Sequence, residues 1–142
     1  MDPSEIASSL YAYSLERGDA AFVHQHVVDA LCAQAADATT PSMRLVFALV
    51  GLYLHVERGR TGREVQRVHA ALARRRPAWP TLPLPASRGA FTARDVLATP
   101  AGPLRDAAID AWCESVWAAY RPCRAAIVGF LDRYGDGRGG AT

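Results

Sequence analysis

Hydrophobic positions recur along this chain with the spacing of α-helices. The segment MRLVFALVGLYLHVERG is apolar nearly all round, which is typical of a helix at the centre of a domain. Its apolar run of about twelve residues is too short to cross a bilayer, for which roughly twenty are needed. We therefore predict a buried central helix, the third of the chain, capped by Ser42.

Two capping boxes and a proline-rich stretch divide the middle of the chain. Thr61 with Glu64 has the spacing that begins a helix, and so does Thr92 with Asp95. Between these two helices, residues 77–89 hold four prolines, which lack the backbone N–H that a helix needs. This segment is predicted to be an extended loop over the surface.

The flanking sequence completes an all-helical pattern. One helix is expected over residues 3–15, and Asp19 is expected to cap a second that runs to about residue 36. Pro122 separates the last two helices, the first of which carries an apolar stripe of Ile109, Trp112, Cys113, Val116, Trp117 and Tyr120. The prediction is an all-α, compact bundle of about six helices: one domain over residues 1–134 and a flexible tail over 135–142.

Composition excludes several kinds of chemistry. All 16 basic residues are arginine, and the chain contains neither lysine nor asparagine. Lysine Schiff bases, lysine-bearing phosphate loops and Cys-His-Asn triads are therefore excluded. The three cysteines form no CxxC pair, and the first ten residues lack the features of a secretory leader. Free thiols in the cytoplasm are the expectation, together with no membrane association.

The four histidines fall on three successive predicted helices. His24 and His69 lie on the apolar faces of the second and fourth helices, and His55 follows a row formed by Arg44, Ala48 and Gly51. The small residues of that row either let a neighbour come close or leave a groove. Three histidines from three helices, with one coordination position open, suit a divalent metal such as zinc.

Other polar groups complete this hypothesis. His26 and Asp29 are three residues apart and can hydrogen-bond along one helix, so they are candidate catalytic groups together with Glu57. Arg44 and Arg58 are candidate ligand-binding cations. Two alternatives stay open beside the metal site: a metal-free pocket in which histidines bind or act on a small molecule, and histidines with a purely structural role.

A cluster of arginine residues suggests a different class of function. Residues 58–76 form a basic helix face that, with Trp79 in the proline-rich loop, suits a non-enzymatic interaction module. The formal net charge of only +2 and the absence of interleaved aromatic residues argue against a nucleic-acid partner. The oligomeric state stays open, with a homodimer as one alternative.

Four segments carry a resemblance to a known family. FVHQHVVDA, FALVGLYLHVERGRTGREVQRVH, RGAFTARDVL and AIDAWCESVW resemble a bacterial family of unknown function, over most of residues 10–132. The resemblance implies one domain and supplies no activity, substrate or cofactor. The bundle is also similar in architecture to the DNA-damage-inducible helical bundles that hold a metal with three histidines, although its histidine spacing differs.

Overall fold

Local sequence signals set the helix boundaries in the computed structural model, which describes residues 1–135. Within these residues the all-α prediction is confirmed, and no strand is present. A short 3-10 helix at Arg121–Cys123 separates the last two α-helices, at the position where Pro122 was expected to interrupt the helix. The α-helices are α1 (Pro3–Glu16), α2 (His24–Ala35), α3 (Ser42–Arg58), α4 (Gly62–Arg75), α5 (Ala93–Ala98), α6 (Pro103–Ala119) and α7 (Arg124–Tyr134).

Side-chain caps begin three of these helices. The predicted capping box of α4 is confirmed, since the Thr61 hydroxyl accepts the Glu64 N–H at 3.2 Å. The box of α5 at Thr92 is confirmed as well. A third box, at Asp2, begins α1 and was not predicted. Each box satisfies backbone donors that a helix start otherwise leaves free.

Two predicted caps were wrong. The Asp19 carboxylate does accept the Val23 N–H at 3.3 Å, but it stabilises a turn that precedes α2. Phe22 in that turn takes a left-handed backbone, φ 59°, which no helix continues. Ser42 is the first helical residue of α3 and makes no capping bond, because Pro41 occupies the N-cap position.

The core forms around α3, as its all-round apolar sequence predicted. One hydrophobic cluster joins buried residues from all seven α-helices. The stripe predicted on α6 is buried along its whole length. None of the helices within residues 1–135 is long and apolar enough to cross a membrane. Residues 136–142 of the predicted tail lie outside the part of the chain that is described.

The proline-rich segment contains no helix, as predicted, and Gln34 of α2 attaches its end to the core. The Gln34 side-chain amide donates to the carbonyls of Arg88, at 3.1 Å, and Phe91, at 2.8 Å. Its oxygen accepts the indole N–H of Trp112 at 2.8 Å. One side chain therefore links α2, α6 and the segment.

The beginning of the segment is attached separately. Trp79 lies against Phe47 and Phe130, with ring centroids 5.0 and 5.4 Å away. Further along, the Pro83 carbonyl accepts the Cys123 thiol at 3.4 Å. Trp79 is thus half-buried against the core, and its predicted role in docking a partner has to compete with this packing.

Helices α2 and α3 meet closely at Gly51. A Cβ atom added there would overlap the carboxyl group of Asp29, which occupies the space that the glycine leaves. The small residues noted in the sequence therefore do admit a close neighbour, and this neighbour is a polar side chain. Any larger residue at position 51 has to displace it.

Gly51→Ala is expected to lower the free energy of unfolding by about 1–3 kcal/mol, because the new methyl group overpacks the α2–α3 contact. The matched control is Gly129→Ala on α7, where an added Cβ meets nothing within 4 Å. That change should be neutral or stabilise by about 0.5–1 kcal/mol. Urea unfolding measures both variants. Equal changes in the free energy of unfolding at positions 51 and 129 would contradict the close contact. So would a Gly51→Ala/Asp29→Ala double variant whose change in this free energy is the sum of the two single changes.

Candidate functional site

The three predicted metal ligands have separate partners. The His24 Nδ1 atom lies 2.8 Å from the Ser14 hydroxyl, and His69 Nε2 lies 2.8 Å from the Phe47 carbonyl. His55 lies elsewhere, on the α2–α3 contact. Within residues 1–135 no three His, Cys, Asp or Glu side chains are arranged to hold a metal ion. Within residues 1–135 the structure therefore does not bring His24, His55 and His69 together in one cluster.

The core-facing side of α2 differs from the one that the sequence predicted. The sequence placed His24 on the core side and His26 away from it, but His26 is only 4% exposed and Asp29 only 3%. His24 is half-buried at the edge. The buried side of α2 also carries Ala30 and Ala33, whose small size lets α3 and α6 come close. The large apolar residues of α2 did not mark its core-facing side, because small residues form the contacts of α2 with α3 and α6.

His26 and His55 stack across the α2–α3 contact. Their ring centroids are 3.6 Å apart and their planes differ by 16°. His55 Nε2 lies 3.2 Å from the Asp110 carboxylate at the solvent edge. Burial, and next the neighbouring His55, lower the pKa of His26 to about 3. His26 is therefore neutral at physiological pH, and its Nδ1 has no hydrogen-bond partner among the described residues.

Asp29 does not bond to His26, contrary to the prediction. Its Oδ1 accepts the Gln25 amide N–H at 3.0 Å, one turn earlier on α2. Burial raises the pKa of Asp29 well above its ordinary value, an effect that the Gln25 bond only partly opposes. Burial therefore favours the protonated, neutral form of this carboxyl group. Because Oδ1 accepts a bond, the proton resides on Oδ2, which has no partner within residues 1–135.

Asp29 also lines a groove between α1, α2, α3 and α4, which we call the α1–α4 groove. Its volume is about 670 Å³. Arg44 lines this groove, is exposed, and forms no ion pair with any residue from 1 to 135. The remaining wall is mainly apolar and includes Tyr11, Val28, Leu31, Met43, Phe47 and Ala48.

His69 is the one histidine that lines the α1–α4 groove. A carbonyl can only accept, so the bond to Phe47 fixes the proton of His69 on Nε2 and leaves Nδ1 with a lone pair. Burial lowers the pKa of His69. Burial thus favours a neutral imidazole at His69 and a neutral carboxylic acid at Asp29, and both residues line the groove.

The chain belongs to a family of unknown function (DUF5946). The sequence profile of this family matches residues 4–121, which agrees with the resemblance noted in the sequence. No curated protein matches the chain, and no solved structure does. The matched part includes α1 to α6, and with them Asp29, Arg44, His69 and the stacked histidines.

Two other predicted site residues lie away from this groove. The Glu57 carboxylate accepts three bonds from Arg124, at 2.7, 2.8 and 3.1 Å, and one from the indole N–H of Trp117 at 2.7 Å. The Arg124 bond is the main reason that the pKa of Glu57 is lowered. Glu57 is therefore an ion-pair partner that joins α3 to α6 and α7. Arg58 lines a separate groove beside α7.

Sequence reasoning missed Gln25 and the histidine stack. Gln25 is four residues before Asp29, a spacing at which helical side chains meet, so this signal was available. The stack had no such signal, because His26 and His55 come from different helices. Its existence depends on the angle and register at which α2 meets α3.

Asp29→Asn is expected to remove a pH-dependent loss of stability. The folded chain holds the Asp29 proton at pH values where the unfolded chain, with a pKa of about 3.9, has released it. The wild-type protein therefore loses stability relative to Asp29→Asn as pH rises above about 4 towards the raised folded pKa. Urea unfolding of both proteins over a pH series measures the difference. A difference that stays flat or changes in the opposite direction would contradict a neutral Asp29.

Proposed function

We propose that the chain binds a small organic anion with an apolar body in the α1–α4 groove, and that Asp29 and His69 exchange protons with it. The observation that carries this proposal is the buried Asp29 carboxyl group, whose Oδ2 has no hydrogen-bond partner within residues 1–135 and whose protonated form burial favours. A buried donor without an acceptor costs about 1–3 kcal/mol. Oδ2 lies in the space that Gly51 leaves, so in this proposal the carboxyl group turns towards the groove, where a ligand atom accepts from it and recovers that cost.

Size and charge support this class of ligand. A volume of about 670 Å³ lies in the range of about 300–1,000 Å³ that is usual for small-molecule sites. Arg44, which has no ion-pair partner within residues 1–135, supplies a cation at the groove, which suits a carboxylate or a phosphate monoester. The apolar wall of α2 and α3 suits a hydrocarbon or aromatic body. The free thiols of Cys32, Cys113 and Cys123 fit a reducing compartment, so we place this binding in the cytoplasm.

In this proposal, their buried environments make Asp29 a proton donor and His69 a proton acceptor. Burial favours the neutral form of each, so Asp29 keeps its proton while His69 lacks the second one. An acid and a base available at the same pH are the requirement for general acid–base chemistry. Asp29 is the proton donor in this proposal, and Nδ1 of His69 is the acceptor.

The test compares matched anionic and neutral probes. Decanoate, phenylacetate, indole-3-acetate and phenyl phosphate are screened by thermal shift, with the primary amide of each carboxylate as its uncharged counterpart. Binding to the folded state raises the melting temperature. We expect at least one anion to bind and its uncharged counterpart to bind about tenfold more weakly, the effect of about 1.4 kcal/mol.

Arg44→Gln should weaken the selected anion about tenfold in calorimetric titration, since charge-assisted bonds contribute about 1.5–3 kcal/mol. Arg94→Gln is the control, because Arg94 is exposed on α5, outside the groove. Asp29→Asn should retain binding but change its pH dependence. The proposal fails if no anion in the panel binds, or if Arg44→Gln and Arg94→Gln have the same effect.

A further inference from the structure

A second groove lies on the other side of α4, between α3, α4 and α7. We call it the α3–α7 groove, and its volume is about 210 Å³. Its floor and walls are apolar, and the aliphatic parts of Val128 and Leu131 remain half-exposed there. The residues that line it include Arg58, Arg67, Val68, Ala71, Val128 and Leu131.

Two arginines flank the apolar floor. Arg58, at the end of α3, and Arg67, on α4, are both exposed, and neither forms a salt bridge within residues 1–135. Asp132 is the one acidic residue among those that line the groove in the described part of the chain. The surface is therefore apolar at its centre and positive at its edge.

The size and chemistry of the α3–α7 groove limit the classes of molecule that can occupy it. Its volume, about 210 Å³, is below the range of about 300–1,000 Å³ usual for whole small ligands, but it suits one or two large side chains. The residues that follow Gly135, DGRGGAT, include no large apolar side chain, so they cannot supply such an anchor. A nucleic acid would use the arginines and leave the apolar floor unused.

We propose that the α3–α7 groove docks an acidic segment of a partner protein. One or two apolar side chains of that segment seat on Val68 and Leu131, and flanking carboxylates pair with Arg58 and Arg67. Apolar anchors in a pocket, with complementary charge at the rim, are the usual division of roles in such an interface. This docking site is independent of the α1–α4 groove.

Selection from random peptides tests the chemistry without knowledge of the partner. The full chain is immobilised, and phage-displayed peptides are selected on it after depletion on an Ala71→Phe variant. Ala71 is partly exposed on α4, so phenylalanine there fills the groove and removes no core atom. We expect peptides in which Leu, Phe, Trp or Met is flanked by Asp or Glu. Failure to enrich any peptide over the variant overturns the proposal, and so does a basic consensus.

A synthetic copy of the selected peptide is then titrated by fluorescence anisotropy. Arg58→Glu/Arg67→Glu should weaken its binding by at least about tenfold, because two attractive charges become repulsive. Arg94→Glu/Arg121→Glu makes the same charge change outside the groove and should leave binding unaltered. Equal losses in the two double variants overturn the proposal.

Two further readings distinguish other occupants. A fluorescein-labelled oligouridine that binds through Arg58 and Arg67, when no peptide does, overturns the proposal in favour of a nucleic acid. Light scattering that shows a dimer in the wild type and a monomer in Ala71→Phe overturns it in favour of a second copy of the chain. A peptide that binds the wild type and loses affinity in both groove variants, each with an unchanged melting temperature, supports it.

Discussion

The contact of α2 with α3 at Gly51 is the constraint on which the site depends. A carboxyl group from α2 fills the space that a side chain on α3 would occupy. This brings His26 into register with His55 one turn along, and it places Asp29 at the wall of the α1–α4 groove. Burial of a polar group in this way is costly, so it persists only because the surrounding apolar contacts of α3 supply much more free energy.

Burial favours the neutral forms of three titratable groups at or beside the same contact. It lowers the pKa of His26 and raises the pKa values of the Asp29 carboxyl group and the Cys113 thiol. The Cys113 thiol is accordingly a core group, not a nucleophile. Charge is confined to the outer edge at Asp110 and to the groove at Arg44. Binding chemistry is therefore concentrated where the buried contact reaches a groove.

The sequence predicted the features that depend on residues close together along the chain. The capping box at Thr61 and the all-apolar α3 are properties of a few consecutive residues, and both were confirmed. The partners of the histidines depend on other elements: Ser14 for His24 and the Phe47 carbonyl for His69. No periodicity encodes such pairings, because they arise from the angles between packed helices.

The proline-rich segment behaves differently from most long connections. Loops of this length usually accept inserted or deleted residues at small free-energy cost, because loop-closure entropy changes slowly with length. Here Trp79, Pro83 and the Gln34 bonds fix the segment at successive points, so each span between them is short. Gain or loss of a single residue would shift one attachment out of reach of its partner. Its length is consequently as constrained as its composition, and natural indels should be confined to other connections.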